Sequence, residues 1–419
     1  MVRILAEDHH TGVRVRGEVQ RGEHLLMGWV HRVLPSLVGH EGLQLRPVRL
    51  VELIAQHRVP VGDHRTVLAR RAAYDHPVAR SSNELDLTDV PRSRLATLPT
   101  ALEPGPALPG GASLWVKRDD LTGLGAGGNK ARKLEFLCGD AMAAGARSLV
   151  TVGAAQSNHC RMTAAAGAVL GVEVHLVLSG DRPDHVTGNQ LLSTMFGAHL
   201  HFTGAHHSHW GELEIAREAL ADQLTAEGLA PYSIPIGGST AVGAVGYVVA
   251  FHEIMAQCSA AGIAPAAIVH TSSSGGTHAG LVAGRALWRA AGHDASAPLP
   301  EVLAVGVAKG VNIGMPDVAD LARDTLAVLG RADVEVDAAD VVLDTRWMGD
   351  DYAVPTDAGD AAIDWAARHG GWVLDRTYSG KGLAGLLGNA TDGRWTHGQH
   401  VVFIHTGGLP AVFAPGGRP

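Results

Sequence analysis

The stretch GLGAGGNKARKLE (residues 123–135) decides how the rest of the chain is read. It holds G-x-G-x-x-G at Gly123, Gly125 and Gly128, the pattern of a dinucleotide-binding turn, and two residues later it holds Lys130. A dinucleotide turn follows its strand tightly, opens a helix, and has an acid about 20 residues on at the next strand end. Here KRDDLT stands between the strand SLWVKR and the glycines, and the next strand, SLVTVGAAQSN, ends in small polar residues. The loop reads better as a mount for the Lys130 amine than as a cradle for a pyrophosphate. A dinucleotide-dependent oxidoreductase remains the alternative from another class.

That lysine stands in a chain that hardly uses lysine. Of 34 basic residues only five are lysine: Lys117, Lys130, Lys133, Lys309 and Lys381. Arginine serves wherever a positive charge suffices, whereas lysine is required where an amine must lose its proton and form a Schiff base. Scarcity marks all five and does not choose among them.

Outward from the loop, short apolar strands alternate with helical stretches from about Ser113 onward. SLWVKR, SLVTVGA, VEVHLVLSG, AHLHFTG, APYSIPIG, AAIVHTS, EVLAVGVA, GWVLD and HVVFIHT are expected as strands. WGELEIAREALADQLTAEG and GYVVAFHEIMAQCSAAG are expected as helices. Such alternation implies an α/β architecture of largely parallel sheets flanked by helices, with ligands at the carboxyl ends of strands.

The first 85 residues lack the alternation. Residues 1–80 carry 12 arginines, no lysine and 8 acids, hence +4, which leaves −12 for the remainder of a chain whose net charge is −8. An added small module, or a translation start set too far upstream, both account for this segment, and no function is assigned to it. The acidic balance makes nucleic acid an unexpected partner. No apolar run approaches the roughly 18 residues that span a bilayer, and the start lacks a secretory signal pattern. Three cysteines far apart suggest neither disulfides nor a zinc site. A cytoplasmic protein with no membrane partner is expected.

Three further stretches bear on chemistry. TSSSGGTHAG (271–280) lies between a strand and a helix, and its small residues with free N–H groups make a cup for one phosphate. GAAQSNHCRMTAAAG places Gln156, Ser157 and Asn158 at another helix start, fit to hold a carboxylate; helix capping by Ser157 or Asn158 is the plainer account. VVFIHTGGLPAVFAP ends a strand in His405 and Thr406. A lysine on a glycine loop, a phosphate cup and a carboxylate-binding helix start together suit pyridoxal phosphate and an amino-acid substrate.

KRDDLTGLGAGGNKARKLEFL, GAAQSNHCRMTAA, SSGGTHAG, LDRTYSGKGLAGLL and FIHTGGLPAVFA resemble the D-cysteine desulfhydrase and aminocyclopropane-carboxylate deaminase family, over roughly residues 90–415. This family belongs to the tryptophan-synthase-β-like, fold-type II pyridoxal-phosphate enzymes. The resemblance implies a two-domain α/β fold: a large domain from 86–132 and 238–419, a small one from 133–237, and usually a homodimer. It implies Lys130 as the Schiff-base lysine, Ser157 as the catalytic or carboxylate-binding serine, and Asn158 as partner of the cofactor's ring hydroxyl. Gln156 and His159 join Ser157 and Asn158 on the substrate side. Ser273, Ser274, Gly275, Gly276 and Thr277 become the phosphate cup, Tyr378 and Tyr352 the tyrosines facing substrate, and Ser379 and Thr406 further cofactor contacts.

Ser379 stands where the deaminase branch resembles Tyr-Glu-Gly-Lys, and Thr406 stands where that branch resembles His-Leu-Gly-Gly; His159 in QSNH also fits the desulfhydrase branch. A hydroxyl at the pyridine nitrogen leaves it nearly neutral, which suffices for a good leaving group such as a thiolate. The resemblance thus implies a β-eliminating lyase that converts D-cysteine and water to pyruvate, hydrogen sulfide and ammonia. A deaminase, or a lyase for another β-substituted amino acid such as cysteate, stands second, since Arg161 and Arg376 beside the site could favour an acidic substrate. The histidine run GAHLHFTGAHHSHWGE lacks a neighbouring carboxylate at ligand spacing and is read as a surface turn, with no metal.

Overall fold

Strands buried on both faces need apolar residues at consecutive positions, and the chain supplies them. Every residue of β5 (Ser148–Gly153) is buried, as are the last five of β6 (Glu173–Leu178) and seven of eight in β9 (Pro265–Ser272). The computed structural model describes residues 2–7, 14–19, 85–207, 209–292, 299–308 and 317–417. The chain divides into two units, residues 1–75 and 76–419. In the first, β1 (Val2–Glu7) and β2 (Arg14–Val19) pair antiparallel; most of the expected 1–85 extension lies outside the described residues.

The second unit holds two sheets. The larger runs β11 (Val342–Asp344), β10 (Glu301–Gly306), β9, β12 (His400–Ile404), β4 (Ser113–Lys117) and β3 (Leu102–Ala107), parallel except for β3. The smaller runs β7 (His199–Phe202), β6, β5 and β8 (Pro231–Ile234), all parallel. Its strands all come from within 133–237, and those of the larger sheet from outside that span. The architecture is the expected α/β one.

Nine α-helices cover the sheets among the described residues. They are α1 (Lys130–Ala143), α2 (Asn158–Leu170), α3 (Gly188–Met195), α4 (Trp210–Ala226), α5 (Ala241–Ala260), α6 (Gly276–Ala290), α7 (Val318–Val328), α8 (Asp357–Gly370) and α9 (Ser379–Thr391). By length and composition α5 is apolar enough to cross a membrane, contrary to the reading of the runs. Its surroundings explain its composition. Tyr247, Val248, Phe251 and Ile254 are fully buried in the core with α6, β9 and β12. Glu253 on the same helix pairs with the buried Lys117 and Arg132.

GWVLD (371–375) is not a strand. Trp372 and Leu374 alternate into the core, but the segment joins no ladder and ends in Asp375, which accepts the N–H groups of Thr377 and Tyr378. A period of two reports burial of one face, and pairing needs a partner strand as well. Conversely β3 (LEPGPA) holds two prolines, Pro104 and Pro106, and was not expected; as an edge strand it tolerates them.

Candidate active site

The glycines of the 123–135 loop serve backbone packing. Gly127 has φ +74°, and a Cβ there would stand 1.9 Å from the Asp120 carbonyl oxygen. Arg161 on α2 donates to the carbonyls of Gly125 and Gly127, and Thr122 Oγ1 both donates to Gly128 O and accepts from Gly128 N. So pinned, the loop hands over to α1 at Lys130. Lys130 lines a tight cavity of about 60 Å³ together with Ser157, Asn158, His159, the 273–275 loop, Thr277, Tyr352, Tyr378 and Thr406. Burial lowers its amine to about 8, and its one side-chain hydrogen bond among the described residues is a long 3.4 Å to Asn129 Oδ1.

Asn129 joins three distant segments, which the sequence did not disclose. Its N–H donates to Thr406 O at the end of β12, and its Nδ2 to Thr277 Oγ1 in the expected phosphate cup. The cup opens α6, where Gly275 has φ +80°. A second residue missed in the motifs lies beneath it. Lys133 is fully buried, and its Nζ donates to Gly237 O at 2.7 Å and Ser239 Oγ at 3.1 Å. Ser239 Oγ donates to Ser274 Oγ and accepts from Gly276 N. A Cβ on Gly276 would fall 2.4 Å from Lys133 Nζ. Among the described residues this amine meets only neutral oxygens, and burial followed by repulsion from Lys130 depresses its pKa strongly. An anion of phosphate size in the cup would supply the missing counter-charge. The signal was present as one of five lysines, but only folding put it under the cup.

Across the cavity, Ser157 caps α2 by accepting from Cys160 N, the plainer role weighed for it, and its O–H remains free to donate. Asn158 begins the helix, with Oδ1 accepting from Asn189 Nδ2. Thr151 gives its proton to Ile234 O and therefore accepts from His159 Nε2, leaving His159 Nδ1 a buried acceptor without a partner. Burial, then Lys130 and Lys133, keep that imidazole neutral. Tyr352 and Tyr378 hydrogen-bond to each other through their hydroxyls, and Trp210 packs edge-on against Tyr352 at 5.0 Å. Burial raises both phenols above their ordinary range, so they keep their protons. The tyrosine pair also walls a second cavity, of about 410 Å³, that shares Ala154 and Asn158 with the first.

Some expected residues lie elsewhere. Gln156 lines the second cavity, and both ends of its amide hold the 187–189 backbone. Gly276 and Ser379 do not line the first cavity. Ser379 is fully buried with its O–H donating to Asp375 Oδ2, so it can offer a neighbour only a lone pair, backed by a carboxylate. That undercuts the neutral-nitrogen argument drawn from its hydroxyl. Arg161 is committed to the glycine loop, and Arg376 pairs with Asp360. Neither lines either of these two cavities, so their placement gives no support to an acidic substrate.

The histidine run divides between β7, the loop after it and α4. The run's own carboxylate, Glu212, stands 3.3 Å from His209, and others arrive from other segments: Asp351 beside His206 and His207, and Glu173 with His175 beside His199.

A family model described as pyridoxal-phosphate dependent enzyme matches residues 94–407. D-cysteine desulfhydrase of Klebsiella pneumoniae subsp. pneumoniae is 38% identical over 336 residues, 78% of this chain and 97% of the relative. D-cysteine desulfhydrase of Salmonella typhi is 39% identical over 337 residues, with the same coverage. A crystal structure titled as an ACC deaminase homologue superposes with TM-score 0.68 at 34% identity, over 79% of this chain and 95% of that one.

Proposed function

The chain belongs to the pyridoxal-phosphate-dependent enzyme family, and from that premise we propose that it is a D-cysteine desulfhydrase. D-cysteine and water would give pyruvate, hydrogen sulfide and ammonia. The residues present fit the cofactor: Lys133 supplies a buried amine that meets only neutral oxygens among the described residues and that a phosphate would charge, the glycine-and-serine cup opens helix α6, and Lys130 faces the same cavity as the cup. Lys133, Ser239 and residues 273–277 would hold its phosphate, Lys130 its aldehyde end, and Asn158 a ring substituent. When bound, the cofactor supplies an electron sink for charge developing at the α-carbon of the amino acid.

The chain's own groups supply the rest. The start of α2 offers backbone N–H groups and the Ser157 hydroxyl to the substrate carboxylate. Lys130, with its amine near pKa 8, is unprotonated in appreciable fraction at neutral pH and takes the α-proton. Tyr378 keeps its proton through burial and gives it to the departing sulfur, while Tyr352 fixes the direction of that hydroxyl. Trp210 and the tyrosine pair exclude water from the reacting side.

The observation that carries this reading is the convergence on one cavity of the Lys130 amine, the cup over Lys133, the start of α2 and the Tyr352–Tyr378 pair. The test is a panel on purified protein: D- and L-cysteine, cysteate, β-chloro-D-alanine and aminocyclopropane carboxylate. Sulfide with pyruvate from D-cysteine is expected. Release of 2-oxobutyrate from the cyclopropane, with no sulfide from D-cysteine, would overturn it in favour of the deaminase.

The same reading takes the working form to be a cytoplasmic homodimer. Three free, buried cysteines suit a reducing compartment. Met195 on α3 and Phe413 in the segment Leu409–Phe413 are 70% and 72% exposed, and Gly188 at the start of α3 packs on Pro410 and Ala414. An apolar face of this kind suits a second copy.

A further inference from the structure

Parallel pairing of β6 and β7 at the edge of the smaller sheet sets His175 directly opposite His199. Side chains two residues apart on a strand share a face, so Glu173 stands beside His175, and His201 beside His199. The ligand-capable atoms of Glu173, His175 and His199 all lie within 4.8 Å of one another. His175 is the built part of the cluster. It is 7% exposed, its Nδ1 is 3.2 Å from His201 Nε2, and its Nε2 is buried without a hydrogen-bond partner, 3.7 Å from Glu173 Oε2. The His175 and His199 rings stack, with centroids 4.7 Å apart and planes 17° from parallel, so the exposed His199 has to turn to aim a nitrogen at the point His175 faces. In the tautomer whose Nδ1–H goes to His201, His175 Nε2 keeps a lone pair beside the Glu173 carboxylate. Once His199 turns, three electron-pair donors face one point, an arrangement that a cation resolves.

We propose that Glu173, His175 and His199 bind a transition-metal dication of the zinc class, with His201 orienting His175 from behind. Two imidazoles and one carboxylate select zinc, cobalt, nickel or copper over magnesium and calcium, which prefer oxygen-only sites. Water completes a tetrahedral set. The His201 contact is the outer hydrogen bond that metal-bound histidines usually make, fixing tautomer and ring direction. Donors around a tetrahedral zinc stand roughly 3.3 Å apart. Glu173 and His199 are both exposed, so their side chains can close the remaining distance onto the fixed His175. The site lies at the amino ends of β6 and β7, whereas Ser157 and the candidate active site follow the carboxyl end of β5. Its role is to clip the edge strand β7 to its neighbour rather than to touch substrate.

The test is a zinc titration of chelator-treated, cofactor-loaded full-length protein against a competing chromophoric chelator. Wild type is expected to bind one more ion per chain than His199→Ala or Glu173→Gln, and zinc is expected to raise the melting temperature of wild type but of neither of these two variants. His201→Gln should weaken that ion by about 10- to 100-fold. The double variant His206→Ala/His207→Ala, which alters the other histidine pair, should retain it. Turnover of D-cysteine should be the same in His199→Ala and wild type, so this test is independent of the lyase reading. Equal zinc stoichiometry and affinity in wild type and His199→Ala, or no uptake by wild type below 100 µM as an order-of-magnitude threshold for a specific site, would overturn the proposal.

Discussion

At the scale of single residues the site rests on where protons sit. Lys130 has no carboxylate among its partners, and burial alone lowers its amine to about 8. A depressed pKa means the neutral amine is reached at lower pH than for an exposed lysine. In cofactor-free protein, labelling of Lys130 by an amine-directed reagent should therefore rise with pH through a midpoint near 8, as read by peptide mass spectrometry. A midpoint near 10.5 would mean the amine is exposed. Lys130→Ala should abolish turnover. Tyr378 is the opposite case, a phenol that burial keeps protonated. Tyr378→Phe removes the proposed donor and should lower kcat by about 10²- to 10⁴-fold with little change in cofactor content. Tyr352→Phe, which removes only the orienting hydroxyl, should cost less.

At the scale of elements, the structure shows how loop, helix and strand are fixed to one another. Gly127→Ala places a methyl against the Asp120 carbonyl and, at φ +74° and ψ 171°, a conformation essentially restricted to glycine, adds about 1–3 kcal/mol of backbone strain. The expected outcome is protein that loses its cofactor on gel filtration, followed by absorbance. Behind the loop, Asp119, Arg132, Glu253 and Lys117 form a buried charge network joining the β4 end, α1 and α5, with Tyr247 donating to Asp119. Burial by itself would raise both carboxyls, but Arg132 and Lys117 outweigh it and hold them below the ordinary range. A depressed carboxyl stabilises the fold above its unfolded pKa and loses that contribution as pH falls through the folded one. Glu253→Gln should thus destabilise at neutral pH by about 3–5 kcal/mol, with the gap from wild type shrinking in acid. Denaturant melts at pH 7 and pH 3 measure both.

At the scale of the whole molecule, the exposed Met195 and Phe413 are the test of assembly. Met195→Glu combined with Phe413→Glu should shift the protein from dimer to monomer in sedimentation velocity, since charges are costly at the core of an apolar interface. Wild type sedimenting as a monomer would refute the dimer reading.

The five motifs, the helix that begins at Lys130, the glycine-and-serine loop that opens α6 and the alternating fold class were readable along the chain, because each depends on residues close in sequence. Backbone N–H groups at a helix start, glycine where φ is positive and consecutive apolar residues in a parallel strand are local requirements. Tertiary structure alone decided what lay between segments. It set Lys133 and Ser239 under the cup from opposite sides of a hundred-residue gap. It tied the polar groups of Gln156, Arg161 and Arg376 to nearer partners, away from the cavity that Lys130 lines, and it brought Glu173 and His175 to the histidines of β7. A side chain's role depends on which donors and acceptors reach it first, and that competition is settled by chain crossings that no local pattern encodes.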